Sequence, residues 1–403
     1  MTKDADVIIA GAGPAGSMAA YELARRGISV LILEKSQFPR YKVCGSGLTH
    51  KILREIPYDV SPVFETQIHT FVFSSGFKEV FARTSAEPLI YCAMRDKLDT
   101  FMLEKAIGAG ARVQFGEKVL EVKQDEASAS VITQSGIFRS LLVIGADGAS
   151  GAVARSAGLR EHLMPGLAWE AEVMADAEIV KTFSKTVFLD WGALPGGYGW
   201  VFPKADHFSI GVGGPASLSK WMMPYYNNFL NYLDAESGLR ILETISLKSW
   251  PIPVRIKKSR FHRGRVLVTG DAGGLTDPLT GEGIYYAIRS GKLAAASCSE
   301  YLQSHSPSLR SYSHAVNDEL IIELEEANRI KYIFNTAPLK IHRFVRDNDR
   351  AWRAFGKVIR GERWYADVKR GFGKWKFLWG IACQISHWIS DRSEKRFLSK
   401  GFK

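Results

Sequence analysis

Residues 5–34, ADVIIAGAGPAGSMAAYELARRGISVLILE, decide the fold of this 403-residue chain. The apolar run at 5–10 predicts a buried strand, and small residues open a predicted helix at 14–26. A second apolar run at 28–33 predicts the next strand. A strand, a helix and a strand in this order indicate a βαβ unit with two parallel strands.

The turn between the first strand and the helix, Gly11-Ala-Gly-Pro-Ala-Gly16, has the spacing G-x-G-x-x-G. Such a turn lets backbone approach a pyrophosphate and lets the helix pack closely on the strand. The N-terminus of the helix adds free N–H groups and a positive dipole. Glu34 ends the second strand and can accept both ribose hydroxyls of a dinucleotide. An acid at this position disfavours a 2′-phosphate, so the site is predicted to prefer FAD or NAD to NADP.

Composition and spacing argue against several other classes of protein. Hydrophobic residues make up 46% of the chain and charged residues 24%, which is typical of a globular protein of two or three subdomains. No apolar stretch is long enough to predict a transmembrane helix, and the first residues show no secretory signal. The four cysteines and nine histidines lack metal-ligand spacing, which predicts no metal site and suggests a reducing compartment.

Two more glycine-rich turns follow predicted strands. Gly145-Ala-Asp-Gly-Ala-Ser150 comes after an apolar strand at 141–144. Gly270-Asp-Ala-Gly-Gly-Leu-Thr-Asp-Pro278 comes after a strand at 265–269, and Gly281-Glu-Gly-Ile284 then opens a predicted helix at 283–302. Together with Arg95, these ordered motifs resemble the FAD-dependent aromatic hydroxylases and their relatives over residues 5–300.

The resemblance implies an α/β fold with a Rossmann-like FAD-binding domain, an inserted antiparallel β-sheet substrate domain and a C-terminal helical region. The middle of the chain, at about 165–257, is rich in β-branched and aromatic residues and independently predicts a largely antiparallel sheet. We expect the FAD-binding domain at 1–70, 93–160 and 262–305, the sheet domain at 71–92 and 161–261, and a basic, Trp-rich helical region at 306–403.

The resemblance also implies roles for individual residues toward a non-covalent FAD. Asp271 is expected to hydrogen-bond the ribityl or ribose region, and Arg95 to lie near the pyrophosphate or the ribityl chain. The turn at Gly281–Ile284 is expected over the pyrimidine edge of the flavin, where N–H groups would stabilise negative charge. The expected cofactor-binding residues are Gly11, Gly13, Ala15, Gly16, Glu34, Lys35, Cys44, Gly45, Arg95, Asp147, Gly148, Asp271, Gly281, Gly283 and Ile284.

Two motifs narrow the choice within these flavoproteins. Lys42-Val-Cys-Gly-Ser-Gly-Leu48 and Tyr198-Gly-Trp-Val-Phe-Pro-Lys204 resemble the K-x-C-G-G and Y-x-W-x-F-P patterns of the FAD-dependent geranylgeranyl reductase family. Ser46 departs from this family, because glycine usually occupies its position. Flavin halogenases show W-x-W-x-I-P at the second motif, so Tyr198 and Phe202 count against a halogenase.

The resemblance implies that reduced flavin gives hydride from N5 to a C=C bond of a geranylgeranyl chain on a lipid, a quinone or a pigment precursor. Cys44 and Tyr198 are the titratable candidates for catalysis, although Cys44 could equally be a small buried apolar residue. Tyr198, Trp200 and Phe202 alternate on one strand face and are expected either to bind the prenyl chain or to form a sheet core. The alternatives are a flavin monooxygenase or halogenase, and a non-enzymatic prenyl-binding escort protein.

The last part of the chain carries the excess positive charge. Residues 331–403 contain 18 basic and 6 acidic residues, a net charge of +12, and five of the ten tryptophans. This composition favours a peripheral site at the inner, cytoplasmic face of an anionic membrane. A solvated basic face and an acidic electron donor such as ferredoxin remain open, and no nucleic-acid motif is present. The external reductant, NAD(P)H or ferredoxin, stays undetermined.

Overall fold

A computed structural model describes residues 3–304, 308–371 and 376–401. The chain forms two compact units. The first consists of Met1–Lys42, Arg95–Met164 and Ile252–Glu325, and the second of Val43–Met94, Pro165–Pro251 and Glu326–Lys403.

The strands are β1 (Ala5–Ala10), β2 (Val30–Glu34), β3 (Gly47–Thr49), β4 (Thr66–Ile68), β5 (Thr70–Ser75), β6 (Phe81–Thr84), β7 (Ile90–Cys92), β8 (Arg112–Phe115), β9 (Glu121–Gln124), β10 (Ala129–Ile132), β11 (Ile137–Gly145), β12 (Met164–Ala175), β13 (Thr186–Trp191), β14 (Tyr198–Pro203), β15 (Phe208–Pro215), β16 (Ile241–Val254), β17 (His262–Arg263) and β18 (Val266–Val268). The α-helices are α1 (Pro14–Ala24), α2 (Arg95–Gly108), α3 (Val153–Ser156), α4 (Ala177–Phe183), α5 (Ser219–Ala235), α6 (Ile284–Gln303), α7 (Arg310–Ala315), α8 (Ile322–Thr336), α9 (Pro338–Asp347), α10 (Asp349–Ile359), α11 (Tyr365–Gly371) and α12 (Lys376–Lys400).

The first unit is built on a sheet that, in the described residues, has the order β17-β18-β11-β1-β2-β8 with β10 and β9 beside β11. Strands β18, β11, β1, β2 and β8 run parallel. The central strands β1 and β2 are buried almost throughout, which explains their continuous apolar sequences. The predicted βαβ unit is therefore confirmed, and it places the first glycine turn at the carboxyl end of β1.

The second unit carries a sheet of order β16-β12-β15-β14-β13-β5-β6 and a small antiparallel sheet of order β3-β7-β4. Strands β12, β15, β14 and β13 pair antiparallel, as predicted, whereas β13 and β5 run parallel. Helix α5 lies within the region predicted as sheet. It packs on the large sheet through buried side chains that recur at helical spacing, namely Met222, Tyr225, Tyr226, Phe229 and Leu233.

The compact units differ from the expected domain boundaries by a few residues at 93–94 and 161–164, by ten residues at 252–261, and by more in three further places. Residues 43–70 belong to the second unit, because β3 and β4 pair with β7. Residues 306–325 belong to the first unit, where the Tyr312 hydroxyl donates to the Val268 carbonyl at 2.7 Å. Residues 326–403 group with the second unit, where Trp352 and Phe355 of α10 pack against Phe71. The expected C-terminal helices are present as α8 to α12.

Candidate active site

The first glycine turn is shaped by close backbone contacts that exclude side chains. Gly11 has φ +97°, and a Cβ there would lie 2.5 Å from the Ala146 carbonyl oxygen. A Cβ on Gly16 would lie 1.9 Å from the Gly11 carbonyl oxygen. The turn therefore needs glycine at both positions, as its sequence predicted. Ala15 is buried at the start of α1, where its carbonyl approaches Gly291 of α6.

Glu34 reaches back to this turn from the end of β2. One carboxylate oxygen accepts the backbone N–H of Ala12 at 2.7 Å, and the other accepts that of Ser36 at 2.9 Å. Each carboxylate oxygen can accept a second hydrogen bond, so the group can still receive ribose hydroxyls. Lys35, which comes next, is exposed.

A cluster of a buried arginine, a buried aspartate and a half-buried arginine lies in the same unit. Arg95 forms a bidentate ion pair with Asp99, and Arg40 approaches the same carboxylate at 3.0 Å. A Cβ on Gly13 would lie 3.9 Å from the Arg40 guanidinium, so this cation stands beside the glycine turn. Two guanidinium groups on one carboxylate leave net positive charge, which fits a pyrophosphate. The sequence predicted Arg95 and missed Arg40 and Asp99, although Asp99 stands one helical turn after Arg95.

The second and third glycine turns are held by carboxylates. Asp147 accepts the backbone N–H of Val153 at 3.0 Å at the start of α3, and burial raises the pKa of Asp147. The adjacent Gly148 has φ +76°. One carboxylate oxygen of the half-buried Asp271 accepts a hydrogen bond from the Thr276 hydroxyl at 3.4 Å. A carboxylate can accept several hydrogen bonds, so Asp271 can also accept one from a ligand.

Helix α6 begins directly after the turn that was predicted to cover the flavin. Gly281 has φ +71°, and its N–H donates to the Asp277 carbonyl at 2.9 Å. Gly283 stands at the N-cap, no side chain among the described residues hydrogen-bonds this end as a cap, and Ile284 is the first helical residue. The N–H groups and the positive dipole of this end can therefore serve an anionic ligand.

In the second unit, Cys44 occupies a turn that bends sharply at Ser46. Ser46 has φ +50°, a left-handed conformation that favours glycine and explains the family pattern at this position. Its hydroxyl donates to the Cys44 carbonyl at 2.9 Å, and its N–H donates to the Cys44 sulfur at 3.4 Å. These two bonds explain how serine is tolerated here.

The aromatic face of β14 packs against this Cys44 turn, which comprises residues 43–47. Tyr198 and Trp200 have ring centroids 5.4 Å apart. A Cβ on Gly45 or on Gly47 would lie 2.8 Å from the Phe202 ring. The two glycines are thus required by the aromatic side chain, a reason that the sequence did not suggest. Tyr198 and Phe202 are half-buried and Trp200 is buried, so this face is only partly covered by protein.

The sequence analysis missed three buried charged residues, two of which hydrogen-bond the Cys44 turn. Glu170 accepts the Cys44 N–H at 2.8 Å and the Trp200 indole N–H at 3.1 Å. Lys204 donates to the Gly45 carbonyl at 2.7 Å. Glu172, two residues along β12, is the third of these charges. The alternation of Glu170 and Glu172 on β12 was the available signal, since it places both carboxylates on one face of the strand.

The acids on β12 titrate differently because their partners differ. Burial, reinforced by the negative charge of Glu172, raises the pKa of Glu170 to about 7. Burial also opposes ionisation of Glu172, but hydrogen bonds from His207 and Ser209 outweigh it and lower the pKa of Glu172. A buried acid that titrates near neutrality, next to a half-buried thiol, is a feature of functional sites.

A family model described as an FAD binding domain matches residues 4–317. The chain belongs to this FAD-binding family. Among the relatives of this FAD-binding protein is a digeranylgeranylglycerophospholipid reductase of Methanospirillum hungatei, 30% identical over 73% of this chain and 75% of that one. A menaquinone reductase of Mycolicibacterium smegmatis is 31% identical over 73% of this chain and 76% of that one. The solved structure of a geranylgeranyl bacteriochlorophyll reductase-like protein from Thermoplasma acidophilum is 25% identical, with a TM-score of 0.70, covering 81% of this chain and 87% of that one.

These similarities confirm the predicted family and the predicted cofactor. The FAD-binding protein is an FAD-dependent oxidoreductase related to geranylgeranyl reductases. In its described residues, no helix combines the length and the apolarity that a membrane span requires.

Proposed function

We propose that this FAD-dependent oxidoreductase saturates C=C bonds in a geranylgeranyl chain carried by a lipid, a quinone or a pigment precursor. The carrying observation is the packing of the Cys44 turn against the partly covered aromatic face of Tyr198, Trp200 and Phe202. The names of the relatives support the proposal, because they include reductases of geranylgeranyl lipids and of menaquinone. An aromatic face suits an apolar chain.

The first unit supplies a site that fits FAD. Gly11, Gly13 and Gly16 would admit the pyrophosphate, with Arg40 and Arg95 as its cations, and Glu34 would accept ribose hydroxyls. Asp271 would accept a hydroxyl of the ribityl or ribose region, while the start of α6 would face the flavin. Ala15, Lys35, Asp147 and Gly148 would complete the site. When bound, FAD would supply the hydride.

The chain's own residues must then exclude water and deliver a proton to the alkene. An isolated alkene has no carbonyl to polarise, so placement of the acid matters greatly. Cys44 and Tyr198 are the proposed catalytic residues, and Gly45 keeps the Cys44 turn narrow. Trp200 and Phe202 would hold the prenyl chain beside them.

FAD-loaded protein, reduced chemically without oxygen, tests the proposal when it is mixed with a geranylgeranyl lipid. We expect a product that has gained two hydrogens per reduced bond. Oxygen uptake with NAD(P)H and a hydroxylated or halogenated product would instead identify a monooxygenase or halogenase. A chain that binds prenyl lipid but retains no flavin would be an escort protein.

Asp271→Ala tests the cofactor site separately. A charge-assisted hydrogen bond contributes about 1.5–3 kcal/mol, so the variant should bind FAD roughly ten- to a hundredfold more weakly. Asp271→Asn keeps the shape of the side chain and loses its charge, so its affinity for FAD should lie between those of the parent and of Asp271→Ala. Equal affinity of Asp271→Ala and the parent would remove Asp271 from the site.

We also propose that the C-terminal helices attach the protein to an anionic membrane surface. Leu339, Phe344, Trp364, Ile385 and Trp388 are exposed apolar side chains in this basic segment. Trp352 does not contribute, because its indole N–H donates to the Thr84 carbonyl and its ring packs on Phe71. Trp375 and the side chain of Trp379 lie outside the described residues. An acidic electron donor such as ferredoxin is the competing use of the same charge.

A further inference from the structure

In the second unit, the side chain of Glu170 links the Cys44 turn to strand β14. Glu170 is 1% exposed, and each of its carboxylate oxygens accepts an N–H. One bond, of 2.8 Å, comes from the backbone of Cys44, and the other, of 3.1 Å, comes from the indole of Trp200. A single carboxylate therefore ties the proposed catalytic thiol to the proposed prenyl-binding face.

Lys204, which carries the opposite charge, hydrogen-bonds the next residue of the same turn. This fully buried ammonium donates to the carbonyl oxygens of Gly45 at 2.7 Å and Ala93 at 3.3 Å. The N–H of Cys44 is thus held by an anion and the carbonyl of Gly45 by a cation. The peptide units Val43–Cys44 and Gly45–Ser46 are therefore held by buried charges.

We propose that Glu170 is a proton-controlled positioning residue, which fixes the Cys44 turn against Trp200 when it is ionised and releases it when it is protonated. The inference rests on the proposed reduction, since that reaction gives the position of Cys44 its importance. An ionised carboxylate offers two equal acceptor oxygens. A protonated one keeps a good acceptor only at its carbonyl oxygen, so one of the two N–H bonds weakens.

The charged surroundings place this switch near neutral pH. Burial favours the neutral acid, and Glu172 on the same strand reinforces it, whereas Lys204 and the two N–H donors favour the anion. Tyr226 of α5 adds no opposing charge, because burial and the two carboxylates raise its pKa. His207, which could become cationic, hydrogen-bonds Glu172 instead. The balance raises the pKa of Glu170 to about 7.

Alkylation of Cys44 by iodoacetamide measures the state of the turn without any prenyl substrate. Cys92, Cys298 and Cys383 are buried, and peptide mass spectrometry separates them from Cys44. In FAD-loaded protein, we compare the Glu170→Gln variant with the parent between about pH 5.5 and pH 8.5. The alkylation rate of Glu170→Gln divided by that of the parent should rise from near one at low pH to about tenfold at high pH. At high pH only the parent has an ionised Glu170, which fixes the turn and places a negative charge near the thiol.

Two further variants should shift the pH dependence of Cys44 alkylation in opposite directions. Glu172→Gln removes a like charge, so the midpoint of its alkylation profile should lie at lower pH than that of the parent. Trp200→Phe removes a donor to the anion and should move the midpoint to higher pH. These opposite shifts decide the question even if Glu170→Gln does not fold.

A rate ratio that stays constant over the pH range would overturn the proposal, as would an unmoved midpoint in both of the other variants. The outcome is independent of the proposed function. A protein that reduces no alkene can still show the switch, and an active reductase with a flat profile would lose only this inference.

Discussion

The carboxylate of Asp99 accepts two parallel hydrogen bonds of 2.8 Å from the guanidinium of Arg95. Both groups are buried, and Arg40 reaches the same carboxylate at 3.0 Å. The pair orients the arginine that the sequence assigned to the cofactor. It also brings a second cation beside the glycine turn, so Asp99 organises the proposed pyrophosphate site without contacting it.

Asp99→Asn should weaken both FAD binding and the fold. Removing one partner of a buried ion pair costs about 3–5 kcal/mol, because the remaining charge is uncompensated. Thermal unfolding and the ratio of flavin to protein after purification measure the two effects. Asp96→Asn, on the same helix but in its first turn, is the matched control and should change stability by less than about 1 kcal/mol. Parent-like melting and flavin content in Asp99→Asn would show that the cluster organises nothing.

Much of the first unit could be predicted from sequence because its signals are local. The apolar runs, the three glycine turns and Glu34 each follow from a short pattern with one structural solution. Arg40 could not be found in this way. It joins Asp99 only after the chain folds, and no spacing rule connects the two residues.

The second unit was harder for the same reason. The sequence predicted a sheet where helix α5 lies, because aromatic residues favour strands. The buried residues of this helix nevertheless follow helical spacing, namely Met222, Tyr225, Tyr226 and Phe229. Glu170 meets Cys44 across 126 positions, so a charged residue in a strand gave no hint of its partner. The Cys44 motif itself was visible only through family resemblance.

Gly16→Ala should abolish FAD retention and lower stability sharply. The added Cβ would stand 1.9 Å from the Gly11 carbonyl oxygen, a contact that forces the turn to open. Gly108→Ala is the control and should be neutral or slightly stabilising, because the added carbon would meet no described atom within 4 Å beyond its chain neighbours and its own helix backbone. Flavin content after gel filtration distinguishes them. A flavin-loaded Gly16→Ala protein would contradict the geometry of the turn.

Asp190 predicts a pH dependence of stability with a definite sign. Burial raises its pKa from 3.8 to about 6, against hydrogen bonds from Ser74, Phe77 and Tyr225. The folded state therefore binds more protons than the unfolded state between these values, and the free energy of unfolding falls as pH rises through this window. The full change is about 3 kcal/mol.

Urea unfolding at several pH values between about 4 and 7 measures this dependence. Asp190→Asn removes the titrating group, so its free energy of unfolding should fall less steeply with pH than that of the parent. The difference in stability between the variant and the parent should therefore shift in favour of the variant as pH rises. Identical slopes for the two proteins would show that Asp190 keeps an ordinary pKa in the folded state.

The proposed membrane surface predicts that Trp364 and Trp388 matter for vesicle binding. Trp388 is 54% exposed, and inserting about 100 Å² of such surface contributes roughly 2 kcal/mol, or about thirtyfold in affinity. The double Ala variant should sediment less with anionic vesicles, and salt should weaken the binding of the parent. Ile137→Ala, an exposed apolar residue outside the basic segment, should change nothing. Equal binding to neutral vesicles, or none to anionic ones, would reject the surface, and the latter would favour an acidic electron donor.

The central claim is that this FAD-dependent oxidoreductase saturates geranylgeranyl chains. Mass spectrometry of lipids from cells that co-express the protein and a geranylgeranyl-lipid pathway tests it most directly. We predict new species that have gained two hydrogens per reduced bond, and fewer of them with Cys44→Ser, which should still bind FAD. Unchanged lipids in cells containing flavin-loaded protein, or lipids that have gained oxygen or halogen, would contradict the account.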